Sequence, residues 1–257
     1  MRLVLDSKKT IDQNASVYFE KAKKAKHKLE GAMEALIKSQ KKLVKLEKDS
    51  EAAEKKAVDE VKKKEEKKKQ EWYEKFRWFI SSEGVLCIGG KDATSNEIVI
   101  KKHTEKDDTV FHTDMAGSPF FVVKGKAGKI TFDEVAEATA SYSRAWRHGL
   151  ATLDVFKAKP EQITKTAKSG EFVPKGAFMV YGKIEYFHPD IKLAVGNMKG
   201  KIVGGPVNAI KKSCEKYVEV SQGREKAGAI AKKIQKKIGG ELDDIIRVLP
   251  AGGCELR

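Results

Sequence analysis

Apolar or small residues recur at Tyr18, Ala22, Ala25, Leu29, Ala32 and Leu36, and again at Leu43 and Leu46. Steps of four and three alternate, which is the seam of a coiled coil. Asp12 or Asn14 can cap the start, and no proline occurs before Pro119. Asp49-Ser50 is the weakest helical point, so the pattern predicts a reversal there and two antiparallel helices over 14–48 and 51–80. The first would be about 50 Å long. A single unbroken helix is the alternative. The second arm ends in Trp72-Tyr73-Glu74-Lys75-Phe76-Arg77-Trp78-Phe79, where Trp72, Phe76 and Phe79 would share a helical face. Their expected role is core, and any ring left exposed could stack on a base.

Beyond Gly84 the apolar runs shorten. Val85–Ile88 reads as a buried strand and 97–102 as a short helix or strand. Thr109–His112 and Phe120–Lys124 read as paired strands. Phe132–His148 has the period of an amphipathic helix, closed by Gly149. Strands are predicted around 154–158, 177–186 and 217–220, and helices around 208–213, 224–238 and 242–249. Connections between many of the strands are too short for helical crossovers, which favours antiparallel pairing. The expected fold class is α+β: an N-terminal antiparallel coiled-coil hairpin (1–80) followed by one compact mixed α+β domain (81–257).

Charge sharpens this division. The 257 residues carry 52 Lys and Arg against 37 Asp and Glu, a net of +15. Residues 1–70 hold 21 of the former and 13 of the latter. Such a balance favours a polyanionic partner, either nucleic acid or an anionic membrane surface. No apolar run approaches the ~20 residues of a membrane span. Cys87, Cys214 and Cys254 are odd in number and far apart, as expected of reduced thiols in a cytoplasmic protein.

On the predicted hairpin, Lys21, Lys24 and Lys28 form one stripe and Lys38, Lys41, Lys45 and Lys48 another. A Lys-rich face is ordinarily a solvated one. Here, however, Lys62–Lys64 and Lys67–Lys69 flank only Glu65 and Glu66, so the cluster repels itself unless an anion lies alongside. A cationic rod of this length suits a large RNA surface.

Candidate chemistry is sparse. Gly89-Gly90-Lys91 lacks P-loop spacing, and the five histidines show no metal spacing, so neither a metal nor a cofactor is expected. His112 and Asp114, two apart on a strand, would face one side, with Asp108 nearby and Ser118 as the available nucleophile. A hydrogen-bonded His–Asp pair that orders its loop is the preferred reading, and catalysis is not expected.

Several ordered blocks carry a family signature: Glu71–Gly84 (EWYEKFRWFISSEG), Gly89–Ala93, Asn96-Glu97, Phe111–Pro119 (FHTDMAGSP), Ser143–Trp146, Pro160–Gln162, and Lys165–Glu171 leading to Gly176–Met179. They resemble the RNA-binding domain of the NFACT family over at least 71–183. Leu5-Asp6, Asn14-Ala15 and the Lys-rich run are similar to that family's coiled-coil segment. The resemblance implies an NEMF-type, non-enzymatic factor of ribosome-associated quality control. Such a factor would bind rRNA and tRNA on a large ribosomal subunit obstructed by peptidyl-tRNA. The family's N-terminal domain has no counterpart in this sequence, and a separate chain could supply it.

On this reading the RNA contacts are Lys38, Lys41, Lys45 and Lys48 on the hairpin, and His112, Asp114, Gly117 and Ser118 in the 112–119 loop. Arg144, Arg147 and the 165–170 loop complete the set, the last through Lys165, Thr166, Lys168 and Ser169. Amides in that Gly-containing loop, with its lysine pair, could hold phosphate. Two rivals remain: a coiled-coil protein-interaction scaffold, and a nucleic-acid-processing enzyme using His112 and Asp114.

Overall fold

Alanine, lysine and glutamate, all strong helix formers, dominate residues 11–65 and form one helix, α1 (Ile11–Glu65). The computed structural model describes residues 4–8, 10–65, 71–166 and 173–257. It divides into two units, Met1–Gln70 and Glu71–Arg257.

The helix start is built by Thr10, not Asp12 or Asn14. Thr10 Oγ1 accepts the Gln13 N–H at 3.3 Å, and Gln13 Oε1 accepts the Thr10 N–H at 3.1 Å, a reciprocal cap. Asn14 instead fastens the preceding segment. Its Oδ1 accepts the Asp6 N–H at 2.9 Å and its Nδ2 donates to the Thr10 carbonyl at 3.0 Å. One turn on, the Tyr18 hydroxyl donates to the Val4 carbonyl at 2.7 Å.

The reversal expected at Asp49-Ser50 is absent, because α1 runs through both residues. Asp and Ser each disfavour a helix by well under ~1 kcal/mol relative to Ala, and no glycine or proline is present there to stop it. The antiparallel hairpin is therefore corrected to a single helix. Its apolar seam is open: Leu29, Leu36 and Leu43 are 62%, 61% and 59% exposed.

The expected second arm also ends differently. Residues 72–75 turn, and the aromatic run continues as a strand, β1 (Arg77–Ile80), in which the neighbours Trp78 and Phe79 are both buried, one on each face. It pairs with β2 (Leu86–Gly89), then come α2 (Ala93–Lys102), β3 (Thr109–His112) and β4 (Phe121–Val123). The single helix predicted over 132–148 is two, α3 (Lys129–Ser141) and α4 (Arg144–His148). Ser143 makes the break, because its Oγ accepts the Ala145 N–H at 3.1 Å and starts a new helix. Gly149 closes α4 in the left-handed conformation, as expected.

After β5 (Val155–Ala158) come the short pair β6 (Ile163–Thr164) and β7 (Met179–Val180), and then β8 (Glu185–Phe187). A six-stranded sheet has the order β1-β2-β4-β3-β5-β8, every neighbour antiparallel. The chain ends with β9 (Leu193–Met198), β10 (Lys201–Gly205), α5 (Val207–Ser213), β11 (Lys216–Glu225), α6 (Ala227–Ile238), α7 (Leu242–Val248) and β12 (Cys254–Leu256). These strands form a second antiparallel sheet, β10-β9-β11-β12. The α+β class is as expected, although the apolar pattern does not predict β9, β10 and β12. Phe79, Phe111, Phe121, Trp146, Leu193, Ile210 and Ile230 belong to one buried cluster that joins the elements of both sheets. Each such side chain contributes roughly 1.5–3 kcal/mol on burial.

Candidate nucleic-acid interface

Between the end of β3 and the start of β4, the chain must turn back while leaving its polar backbone paired. Thr113 and Ser118 are both buried, and their hydroxyls hydrogen-bond each other across the loop. Thr113 Oγ1 also accepts the Met115 N–H at 3.1 Å, and Ser118 Oγ donates to the Met115 carbonyl at 2.9 Å. From α2, Asn96 Nδ2 donates to the Ser118 carbonyl at 3.3 Å and Asn96 Oδ1 accepts the Phe120 N–H at 3.1 Å. The loop is thus fixed from inside by Thr113, Ser118 and Asn96.

His112 belongs to this scaffold. Its ring stacks on Phe120 at 3.6 Å between centroids, and its Nδ1 lies 2.9 Å from the Pro119 carbonyl. Burial pushes its pKa down to about 4, against a smaller opposing effect of the Pro119 hydrogen bond and the Asp114 charge. A neutral ring donating from Nδ1–H to that carbonyl meets both conditions.

The expected direct His112–Asp114 pair is not formed. Asp114 is exposed and accepts from the Tyr186 hydroxyl at 3.3 Å. Asp108, at the far end of β3, is buried and held by Lys124 Nζ at 2.6 Å and by the Gly125 N–H at 2.8 Å. It is a structural ion pair, not a neighbour of His112.

On its outer side the loop borders a cleft of about 300 Å³. Ala116, Gly117 and Ser118 form one wall, the start of α2 (Asp92, Ala93) with Lys91 another, and the turn Pro174–Ala177 a third. Gly117 has φ of 86° and lies against the Arg144 side chain, so an added Cβ there would sit 2.4 Å from Arg144 Nε. No hydrogen bond among the described residues engages the amides of Ala116 or Gly117. Lys91 and Lys175 line the cleft and Arg144 borders its loop. Burial depresses the Lys91 ammonium, and the nearby charges of Arg77 and Arg247 lower it further. Behind Tyr142, which also lines the cleft, the Arg77 guanidinium lies 3.9 Å from the ring centroid, and its buried Nη1 has no hydrogen-bond partner among the described residues. Among the described residues of the walls, Asp92 supplies the carboxylate, and it is occupied in capping α2 through the Ser95 N–H at 2.8 Å. Unbonded amides among cations can hold an anion such as phosphate.

The other predicted contacts are distributed. Arg144 and Arg147 are exposed on α4. Lys165 is anchored rather than free, with Nζ 2.7 Å from Glu97 Oε1 and donating to the Pro174 carbonyl at 2.9 Å. Together with the Gly176 N–H, Lys165 holds the Glu97 carboxyl down to about 2, so both residues brace the third wall. Thr166 is exposed next to β6, and Lys168 and Ser169 lie outside the described residues. Lys38 and Lys41 are exposed on α1. Lys45 and Lys48 also fall in that helix, with side chains outside the described set. Sequence pattern does not mark Lys91, Lys175 or Arg77 as contacts, although Lys91 and Arg77 stand inside blocks that carry the family signature. Trp72, 44% exposed, stacks on His103 at 4.5 Å and meets the Tyr73 ring edge-on at 5.7 Å.

The NFACT protein RNA binding domain matches residues 75–182. The Archaeal Rqc2 homolog aRqcH of Methanocaldococcus jannaschii is 42% identical over 205 residues, covering 76% of this chain and 30% of the relative. The ribosome quality control complex subunit NEMF of Homo sapiens is 34% identical over 186 residues, covering 68% of this chain and 16% of the relative. This chain therefore spans less than a third of the length of either relative. The C-terminal part of the fibronectin/fibrinogen-binding protein from Streptococcus suis covers 48% of each chain at 17% identity, with a TM-score of 0.39, a likeness too slight to support a functional conclusion.

Proposed function

Because this chain belongs to the NFACT family through its RNA-binding domain, we propose that it is an RNA-binding factor of cytoplasmic ribosome quality control. It contacts rRNA and tRNA on the large ribosomal subunit. The observation that carries this reading is the cleft beside the 112–119 loop. Lys91 and Lys175 line it together with Ala116 and Gly117, whose amides make no hydrogen bond among the described residues, and Arg144 lies against Gly117, all inside the segment that matches the RNA-binding domain. Relatives named for the ribosome quality control complex supply the setting.

The factor has no turnover of its own. Ser118 spends its hydroxyl on Thr113 and Met115, and His112 spends Nδ1 on Pro119, so neither activates the other. A purified, metal-dependent activity abolished by His112→Ala would overturn this part.

Cross-linking followed by sequencing of bound RNA tests the main reading. Large-subunit rRNA and tRNA should be recovered with the wild type. The Lys91→Gln/Arg144→Gln double variant should bind roughly tenfold more weakly for each cation replaced, the scale of a hydrogen bond to a charged group. Equal recovery from both proteins would refute the cleft as an RNA site. A scaffold role is the second reading, favoured by the exposed seam of Leu29, Leu36 and Leu43 on α1. Under it, an apolar helix of another protein would cover that seam.

A further inference from the structure

The match to the RNA-binding domain ends at residue 182 and does not reach α6. From Lys226 to Lys237 the sequence has five lysines and no acidic residue. Burial of Ile230, Ala231, Ile234 and Ile238 fixes the rotation of α6. With about 100° per residue, Lys232, Lys233, Lys236 and Lys237 then fall within an arc of roughly 140° on the opposite side. All four are exposed, as is Lys226.

This arrangement is electrostatically costly to the isolated chain. Lys232 and Lys236, and Lys233 and Lys237, are like charges four residues apart, which repel. Lys226 occupies the N-cap, the positive end of the helix dipole, where a cation is disfavoured. The dipole favours only Lys236 and Lys237, in the last turn. Relief within the fold is slight. Glu225 pairs with Lys233 at 2.6 Å, and on the adjacent α7 Asp244 pairs with Arg247 at 3.4 Å. No ion pair among the described residues reaches Lys226, Lys232, Lys236 or Lys237.

We propose that the outward face of α6 is a second contact for the RNA phosphate backbone, distinct from the cleft beside the 112–119 loop. This rests on the RNA-binding reading and extends it to a part of the chain that the domain match leaves out. Lysines are compact point charges on flexible stems, suited to following a backbone without reading bases. The row Lys232–Lys236 advances about 6 Å along the helix axis and presents no hydrogen-bonding fork that would select a sequence. The contact is therefore sequence-independent, and its occupant is the RNA backbone because the same chain carries the match to the RNA-binding domain.

The test uses the full chain and two unrelated RNAs, one single-stranded and one duplex, with affinity measured across a salt series. Lys226→Gln/Lys232→Gln/Lys236→Gln should reduce the slope of log affinity against log salt by about two on the single strand and nearly three on the duplex, at roughly 0.7 and 0.9 for each phosphate no longer neutralised. The same three positions changed to Arg should retain the slope. An unchanged slope in the Gln variant, with binding still weakened by Lys91→Gln/Arg144→Gln, would make α6 a solvated face only. The converse result would remove the cleft and leave α6 standing. If polyglutamate or phosphatidylserine vesicles bound the wild type as tightly as RNA, and the Gln variant released them equally, the assignment to RNA would be overturned. Should the triple variant fold poorly by circular dichroism, Lys232→Gln and Lys236→Gln singly should each lower the slope by about 0.7–0.9.

Discussion

Helix α1 and the Glu71–Arg257 unit both display cations, but they hold them by different means. On α1, Lys38 and Lys41 sit on a helix formed by local propensity, and the apolar residues between the lysines are as exposed as the lysines. Around the cleft, polar contacts between distant parts of the chain join the walls, Asn96 to the 112–119 loop and Glu97 to Lys165 and Gly176, and the Thr113–Ser118 pair braces the loop across itself. Charge on α1 can therefore be exchanged residue by residue with little structural consequence. Charge at the cleft depends on a supporting set that includes the buried, uncharged Asn96, Thr113 and Ser118 and the Glu97–Lys165 ion pair.

The largest expected difference between the two regions is in packing. Phe121 is fully buried, and Phe121→Ala should destabilise its unit by about 3–5 kcal/mol. Leu36 on α1 is 61% exposed, and Leu36→Ala should change stability by less than about 0.5 kcal/mol. Urea unfolding followed by tryptophan fluorescence and by helical circular dichroism measures both. Equal effects would mean that Leu36 is covered in solution, as the scaffold reading requires.

A somewhat smaller effect should follow pH. The folded His112 pKa, about 4, lies below its ordinary 6.5, so the unfolded chain binds the extra proton first as pH falls. His112 therefore contributes its full stability above pH 6.5, loses it between 6.5 and 4, and costs nothing further below. Over that window the loss should be roughly 3 kcal/mol. His112→Phe should flatten the pH dependence of the melting temperature there. Below about pH 4.5 the variant should retain a further decline, because the Glu97 carboxylate, held at about 2, must then be protonated on unfolding. An equally steep loss in the variant between 6.5 and 5 would show that His112 is not buried in the neutral form.

Gly117→Ala probes the loop with less force. Its left-handed φ and the adjoining Arg144 side chain should make the change cost about 1 kcal/mol and displace Arg144. RNA affinity should fall while the salt slope changes by no more than about 0.9, the share of a single phosphate. The smallest perturbation is a pair of spin labels at Lys24 and Glu60. An unbroken α1 places them about 54 Å apart, whereas a reversal at Asp49-Ser50 would bring them close.

The amino-acid sequence by itself determined the helical character of residues 11–65, the α+β class, the β3–β4 pair, most C-terminal helices and the stretch that matches the RNA-binding domain. These depend on periodicity, propensity and ordered motifs, which are properties of neighbouring residues. Whether Asp49-Ser50 turned or continued depended on a small difference in local helix cost, and the pattern of apolar residues is the same in either case. The aromatic run at 72–79 has the spacing of a helix face, yet pairing with β2 made its second half a strand. The Lys-rich stretch of α6 was visible as charge, but only the burial of Ile230 and Ile234 turned its lysines to one side. The cleft was least legible. Lys91 and Lys175 are far apart in the chain, and they line one cleft, with Arg144 against its loop, because Asn96, Glu97 and Lys165 tie three loops together. Such contacts couple residues with no sequence periodicity between them, so tertiary structure alone decides which cations share an anion.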